Sequence, residues 1–233
     1  MSGPELSFAD AIPELMGIDA QDVAGGEDRS RTSAGRAHAI SGIAVMMLLF
    51  GLVGCAGTLL EESAEGTLQR LQLMPAPGAS ILLGKFLFTG VAGLLQLAIL
   101  FSYGGILFGI PVLRAPVALV VLSVALISAA TGLGLFLGVT CRTRKQLEGL
   151  STLVILVMSA LGGSWFPLII TPEWYRKLGH FTLNAWAMDG YQGLFWYGKD
   201  LAGIRVEIAV LFGIAVVTSL LAVRGWKRRF EAA

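Results

Sequence analysis

Four runs of more than 20 residues, 40–60, 86–110, 117–140 and 150–170, contain no charged side chain, and nothing else in the chain limits its fold so tightly. Bilayer hydrocarbon is about 30 Å thick and a helix needs about 20 apolar residues to cross it, so each run has the length of a transmembrane helix. A fifth run, 204–223, holds only Arg205 and Glu207, close enough to one end for their heads to reach lipid headgroups. Together they predict an all-α, polytopic helical membrane protein with five transmembrane helices. Charged residues make up 14% of the chain, against about 25% in a typical soluble domain, which excludes a water-soluble fold. A net charge of +1, with the cations parcelled between apolar runs, excludes a nucleic-acid partner. Cys55 and Cys141 have no Cys or His at metal-ligand spacing and read as thiols packed in the bilayer.

Lys and Arg in alternate loops set the orientation. One side collects Arg70, Lys85, Arg142, Arg144, Lys145, Arg224, Lys227, Arg228 and Arg229, in tight clusters that predict a cytoplasmic C-terminus. Five crossings then put the N-terminus outside. Arg29, Arg31 and Arg36 before the first span, facing Glu61, Glu62 and Glu65 after it, pull the other way. A further N-terminal span, present in relatives and missing here, would resolve the conflict. Residues 1–37, mixed in charge, read as one or two short helices and a linker, too small to bury a core.

Glycines inside the spans (Gly51, Gly54, Gly57, Gly105, Gly109, Gly134, Gly138) predict close helix packing. Two other segments carry more information. After the first span, Leu60, Ala64, Leu68 and Leu71 recur at helical spacing and leave Glu61, Glu62, Glu65, Gln69 and Gln72 opposite, which predicts an amphipathic helix over 61–74 on the cytoplasmic surface. Pro75 and Pro77 stop it. A helix lying on anionic lipid carries Lys and Arg on its polar face; an acidic face suits a protein partner better. The second segment, 162–199, holds Trp165, Trp174, Trp186, Trp196, Tyr175, Tyr191 and Tyr197, residue types that collect at the water–lipid boundary. Gly162, Gly163, Pro167 and Pro172 break the helix there, predicting a pair of short re-entrant or interfacial helices.

Chemistry is sparse. The nearest approach to a phosphate-binding loop, Gly78 to Phe86, has one residue too many between its glycines and a Phe where the hydroxyl belongs. Gly132, Gly134 and Gly138 imitate a dinucleotide fingerprint without strand context. Ser164 and His180 are the one pair an intramembrane hydrolase could use, but Ser164 lacks a nucleophile elbow and His180 follows the cationic Arg176 and Lys177. His38 reads as a headgroup-level residue. No catalytic, cofactor-binding or metal site is expected in this chain. The first four spans offer no ionisable group for proton or sodium coupling, so any uphill work must draw energy from outside the bilayer.

The two informative segments resemble the permease subunits of type-2 ATP-binding-cassette exporters. Glu61, Glu62, then Gly66, Thr67, Leu68, Arg70 and Leu71, then Pro75, Gly84 and Lys85 follow that family's first cytoplasmic loop. Gly162, Gly163, Phe166, Pro167, Pro172, Glu173, Trp174, Trp186, Asp189, Gly190 and Gly193 follow its last external segment. The run 40–51 is similar to its second span, with Ser41 where proline is common. The likeness covers residues 38–233 and leaves 1–37 as the tail of an external region. It implies a bacterial plasma-membrane permease that pairs with a second copy, the same or different, and with an ATP-binding subunit that holds ATP and magnesium. Glu61, Glu62, Glu65, Gly66, Thr67, Leu68, Arg70 and Leu71 would then couple to that subunit. Gly162, Gly163, Phe166, Pro167, Pro172, Trp174, Trp186 and Asp189 would shape the external exit. A non-transporting membrane scaffold is the alternative, and the cargo, whether drug, lipid or polysaccharide, is not written in the spans.

Overall fold

A computed structural model describes residues 20–66 and 78–228, and every regular element among them is helical. In chain order these are α1 (Ala20–Ala64), α2 (Gly78–Phe108), α3 (Pro116–Thr140), α4 (Arg144–Leu161), α5 (Glu173–Gly179), α6 (Leu183–Phe195) and α7 (Arg205–Trp226). Single 3-10 turns at Val112–Arg114, Leu168–Ile170 and Ala202–Ile204 join them. Proline sets several of these boundaries. Pro116 occupies the first turn of α3, where a missing N–H costs nothing, and no proline interrupts the chain between Pro13 and Pro75. From Ala20, the expected linker is therefore the beginning of one helix of 45 residues, about 68 Å long.

Among the described residues four helices are long and apolar enough to cross a membrane: Gly35–Glu62, Leu83–Phe108, Pro116–Thr140 and Ala202–Trp226. The expected span at 150–170 has different bounds. Its helix, α4, starts earlier, at Arg144, and stops at Leu161. Gly163 adopts φ +80°, a left-handed conformation open to glycine at no steric cost, and the apolar residues beyond it form a turn instead of more helix. Thr143 starts α4 by accepting a hydrogen bond from the Gln146 N–H at 3.1 Å, so Arg144, Lys145 and Glu148 belong to the helix and not to a loop. The first span also overruns its expected end. Glu61 and Glu62 continue α1, which closes in a turn at Glu65–Gly66, with Gly66 at φ +74°.

The small-residue helix α3 is the central element, packed on α7, α1, α2 and α6. Gly134 and Gly138 lie against the α1 backbone, where an added Cβ would stand 3.4 Å from the Leu52 carbonyl oxygen and 3.3 Å from that of Ala56. Gly132 plays the same part toward α7, 2.4 Å from Thr218 Oγ1 by the same measure. These are the close helix contacts that glycine permits. Gly54 and Gly109 face open space instead. By contrast, only 22% of the α2 span and 17% of the α7 span are buried against the rest of the chain. Leu87, Phe88, Ile99 and Ile106 on α2 are exposed, which water would penalise and hydrocarbon does not.

Between α4 and α7 the chain does not cross. α5 and α6 form a short helical hairpin, and α6 inserts among α1, α3 and α7 with Leu183, Ala187, Met188, Tyr191 and Leu194 buried. Tyr191, expected at the boundary, lies in the core, its hydroxyl 3.1 Å from Ser123 Oγ. Trp165, Trp174 and Tyr197 are exposed as expected. The bundle therefore has an aromatic end, with the α5–α6 hairpin, and a charged end, where α1 and α3 finish and α2 and α4 start.

Candidate functional site

At the charged end two cations knit three helices together. Lys85, in the second turn of α2, donates to Glu62 Oε1 at 2.9 Å and to Thr58 Oγ1 at 3.0 Å, both on α1. Arg144, the first residue of α4, pairs with Glu61 on α1 and, through Nε, with Glu148 Oε1 at 2.8 Å one turn along α4. Glu148 first and Glu61 second hold the Arg144 guanidinium above its ordinary value. Lys85 is only 16% exposed and Glu62 31%, so solvent screens this pair less than the Arg144 contacts. Beneath Arg144 a crevice of about 120 Å³ separates α1 at Val53, Gly54 and Gly57 from α4 at Leu147 and Ser151.

The expected acidic face is thus divided. Glu61 and Glu62 are neutralised within the chain, whereas Glu65 is exposed and has no cationic partner among the described residues. Gly66 ends the described part of this segment; Thr67, Leu68, Arg70 and Leu71 lie outside the described residues. The pairings Glu62–Lys85 and Glu61–Arg144 join positions 23 and 83 apart in sequence, and helical periodicity carries no signal for them.

The aromatic end is held by neutral groups. Asn184, fully buried in the first turn of α6, donates to Ser159 Oγ on α4 and to Ser164 Oγ in the following turn, each at 3.1 Å. Gly162 makes room for this: a Cβ there would lie 2.4 Å from that of Asn184. Gly42 of α1 passes directly under the Ser164 carbonyl, which a Cβ would approach to 2.0 Å. Pro167 and Pro172 precede the second 3-10 turn and α5, while Phe166 and Trp174 flank Tyr175 with ring centroids at 6.2 Å and 5.7 Å. Replacing Asn184 with Leu strands two buried hydroxyls. Midpoint shifts in thermal unfolding should report a loss of about 2 kcal/mol, with Asn184→Gln recovering little because its longer side chain does not fit beside Gly162.

Ser164 and His180 do not meet as a catalytic pair. The His180 ring nitrogens are both occupied, Nδ1 by the Arg176 carbonyl and Nε2 by Asp189 Oδ2, each at 2.8 Å. Both partners are acceptors, which leaves neither ring nitrogen turned toward Ser164. Trp186 donates its indole N–H to the His180 carbonyl at 2.8 Å. His180, Asp189, Arg176, Gln192 and Lys199 line a polar cavity of about 350 Å³. His38 is buried within the bundle, its ring centroid 5.9 Å from that of Trp196, and its Nδ1 meets Gln192 Nε2 at 3.1 Å. Sequence reasoning passed over Asn184 and Gln192; two amides in one largely apolar helix were the available signal. Among the described residues no group of three or more His, Cys, Asp or Glu side chains could hold a metal ion.

Apolar spans around a small-residue helix, with a helical hairpin closing one end and ion pairs the other, define a multi-pass membrane protein of the permease kind. Residues 14–224 match the model of the ABC-2 family transporter proteins, and the chain belongs to that family. It is 26% identical over 209 residues to the linearmycin resistance permease protein LnrN of Bacillus subtilis, covering 90% of this chain and 53% of that protein. It is 32% identical over 137 residues to the inner membrane transport permease YhhJ of Escherichia coli, covering 58% of this chain and 36% of that one. The chain therefore spans about half the length of the first relative and about a third of the second.

Proposed function

We propose that the chain forms part of the membrane pathway of an ATP-driven exporter, with a second permease copy completing the pathway and a separate ATP-binding subunit docking at the charged end. One observation carries this reading: Lys85–Glu62 and Arg144–Glu61 bind α1, which precedes segment 67–77, to α2, which follows it, and to α4. A push on that segment is delivered to three helices at once. The same end carries Lys85, Arg142, Arg144, Lys145, Arg224, Lys227 and Arg228, which supports a cytosolic location. Among the described residues α3 holds no acidic or basic side chain and α2 only Lys85, so these two spans offer no carriers for ion coupling, and an external power source fits. ATP and magnesium would be held by the partner subunit. Glu65 and Gly66, with Thr67, Leu68, Arg70 and Leu71, would form the coupling surface, and the hairpin from Gly162 through Asp189 would shape the exit. The exposed flanks of α2 and α7 are available to lipid and to the second copy. Since one relative is named for linearmycin resistance, a toxic compound is the first cargo class to test.

Charge reversal of Glu65 tests the docking. In pull-downs with the ATP-binding subunit, Glu65→Lys should weaken association by about tenfold and lower permease-dependent ATP turnover. Association and turnover equal to those of the unmodified chain would overturn the reading.

A further inference from the structure

An apolar cavity lies beside Gly105 of α2, toward the aromatic end of the bundle, and shares no lining residue with the polar cavity at His180. It measures about 640 Å³ and opens between the last turns of α2, at Phe101, Gly105 and Ile106, and the segment Ile110–Arg114. The sequence explains why it is hollow. Pro111 and Pro116 prevent the chain from continuing as helix, and a 3-10 turn stands off from α2 instead. At Gly105 a Cβ would already come within 3.3 Å of Val112, so a larger side chain would fill the space. Ile106 and Leu113, at the rim, are 82% and 86% exposed, as residues that meet hydrocarbon are.

One charged group stands on its wall. The Arg114 guanidinium packs on Gly198, where a Cβ would lie 2.6 Å from its Cζ, and Arg114 has no acidic partner among the described residues. Gly198 follows Trp196 and Tyr197, residue types that mark the headgroup level. The cavity thus offers hydrocarbon walls below and a fixed, unpaired fork of N–H donors above. A guanidinium of this kind binds phosphate oxygens two at a time. We propose that this cavity takes an acyl chain of an anionic phospholipid from the surrounding leaflet, with the lipid phosphate held by Arg114.

The full chain, reconstituted in nanodiscs of equimolar phosphatidylglycerol and phosphatidylcholine and then extracted into mild detergent, is read by native mass spectrometry. The unmodified chain should retain phosphatidylglycerol over phosphatidylcholine by about fivefold. Arg114→Gln should bring that ratio to about one, and Arg114→Lys should keep part of it. Gly105→Leu should reduce retention of both lipids several-fold; if that variant does not fold, Ser102→Phe, on the same wall, replaces it. Retention in the proportions of the bilayer, a preference that survives Arg114→Gln, or full retention by the cavity-filling variant would each overturn the proposal.

Discussion

Arg144→Glu is expected to lower permease-stimulated ATP turnover, measured with the ATP-binding subunit in proteoliposomes, by on the order of tenfold. The substitution turns two attractions into two repulsions, because Glu61 and Glu148 both face the position, and like charges at helical spacing also destabilise the first turn of α4. The bundle itself should survive, since the pair lies at its surface and the core below is apolar. The decisive variant is the exchange. Glu61→Arg combined with Arg144→Glu restores an attraction between α1 and α4, while the repulsion with Glu148 within α4 remains. If Glu61 serves to hold α4, the double variant should recover most of the lost turnover. If Glu61 instead presents its charge to the ATP-binding subunit, the exchange should be no better than either single change. High salt should mimic the single substitution, because both side chains are 44% exposed.

Gly42→Val should have the largest effect on stability. The added Cβ would sit 2.0 Å from the Ser164 carbonyl oxygen and 2.9 Å from its carbon, and these are backbone atoms that cannot rotate away. Either α1 moves off the hairpin or the turn after α4 unwinds, and both break the Asn184 contacts. A loss of about 3 kcal/mol is expected, seen as a lower Tm and greater tryptophan exposure to aqueous quenchers. Gly213→Val, on a face of α7 with nothing within 4 Å, should change stability by less than about 0.5 kcal/mol. Equal behaviour of the two variants would mean that the hairpin does not rest on α1.

The helices that an unbroken apolar run defines were legible in the sequence. α3 begins one residue from its expected start, at Pro116, and α7 lies over the run that contains Arg205. α4 shows the limit of such reading. Hydropathy measures the preference for hydrocarbon and not for helix, so Phe166, Leu168, Ile169 and Ile170 looked like the continuation of a span that Gly163 had already ended. At the other end of α4, charge made Arg144, Lys145 and Glu148 look like a loop, although Thr143 was a readable cap. Glu61 and Glu62 were recognised as unusual, but their partners are not local. Lys85 is reached only after the chain reverses, and Arg144 only after two further helices. The Asn184 cluster was hidden for the same reason: three neutral polar residues, 20 and 25 positions apart in pairs, become a site only when α6 folds back against α4.

The fastening of α4 to α1 at both extremities, by Arg144–Glu61 at one and by Gly42 beneath Ser164 at the other, restricts what the bundle can do. Two rails tied at the top and bottom, and packed between, resist sliding lengthwise. The lower tie is a solvated ion pair and the upper one a backbone contact, so the lower is the weaker of the two. Motion in such a frame has a direction built into it.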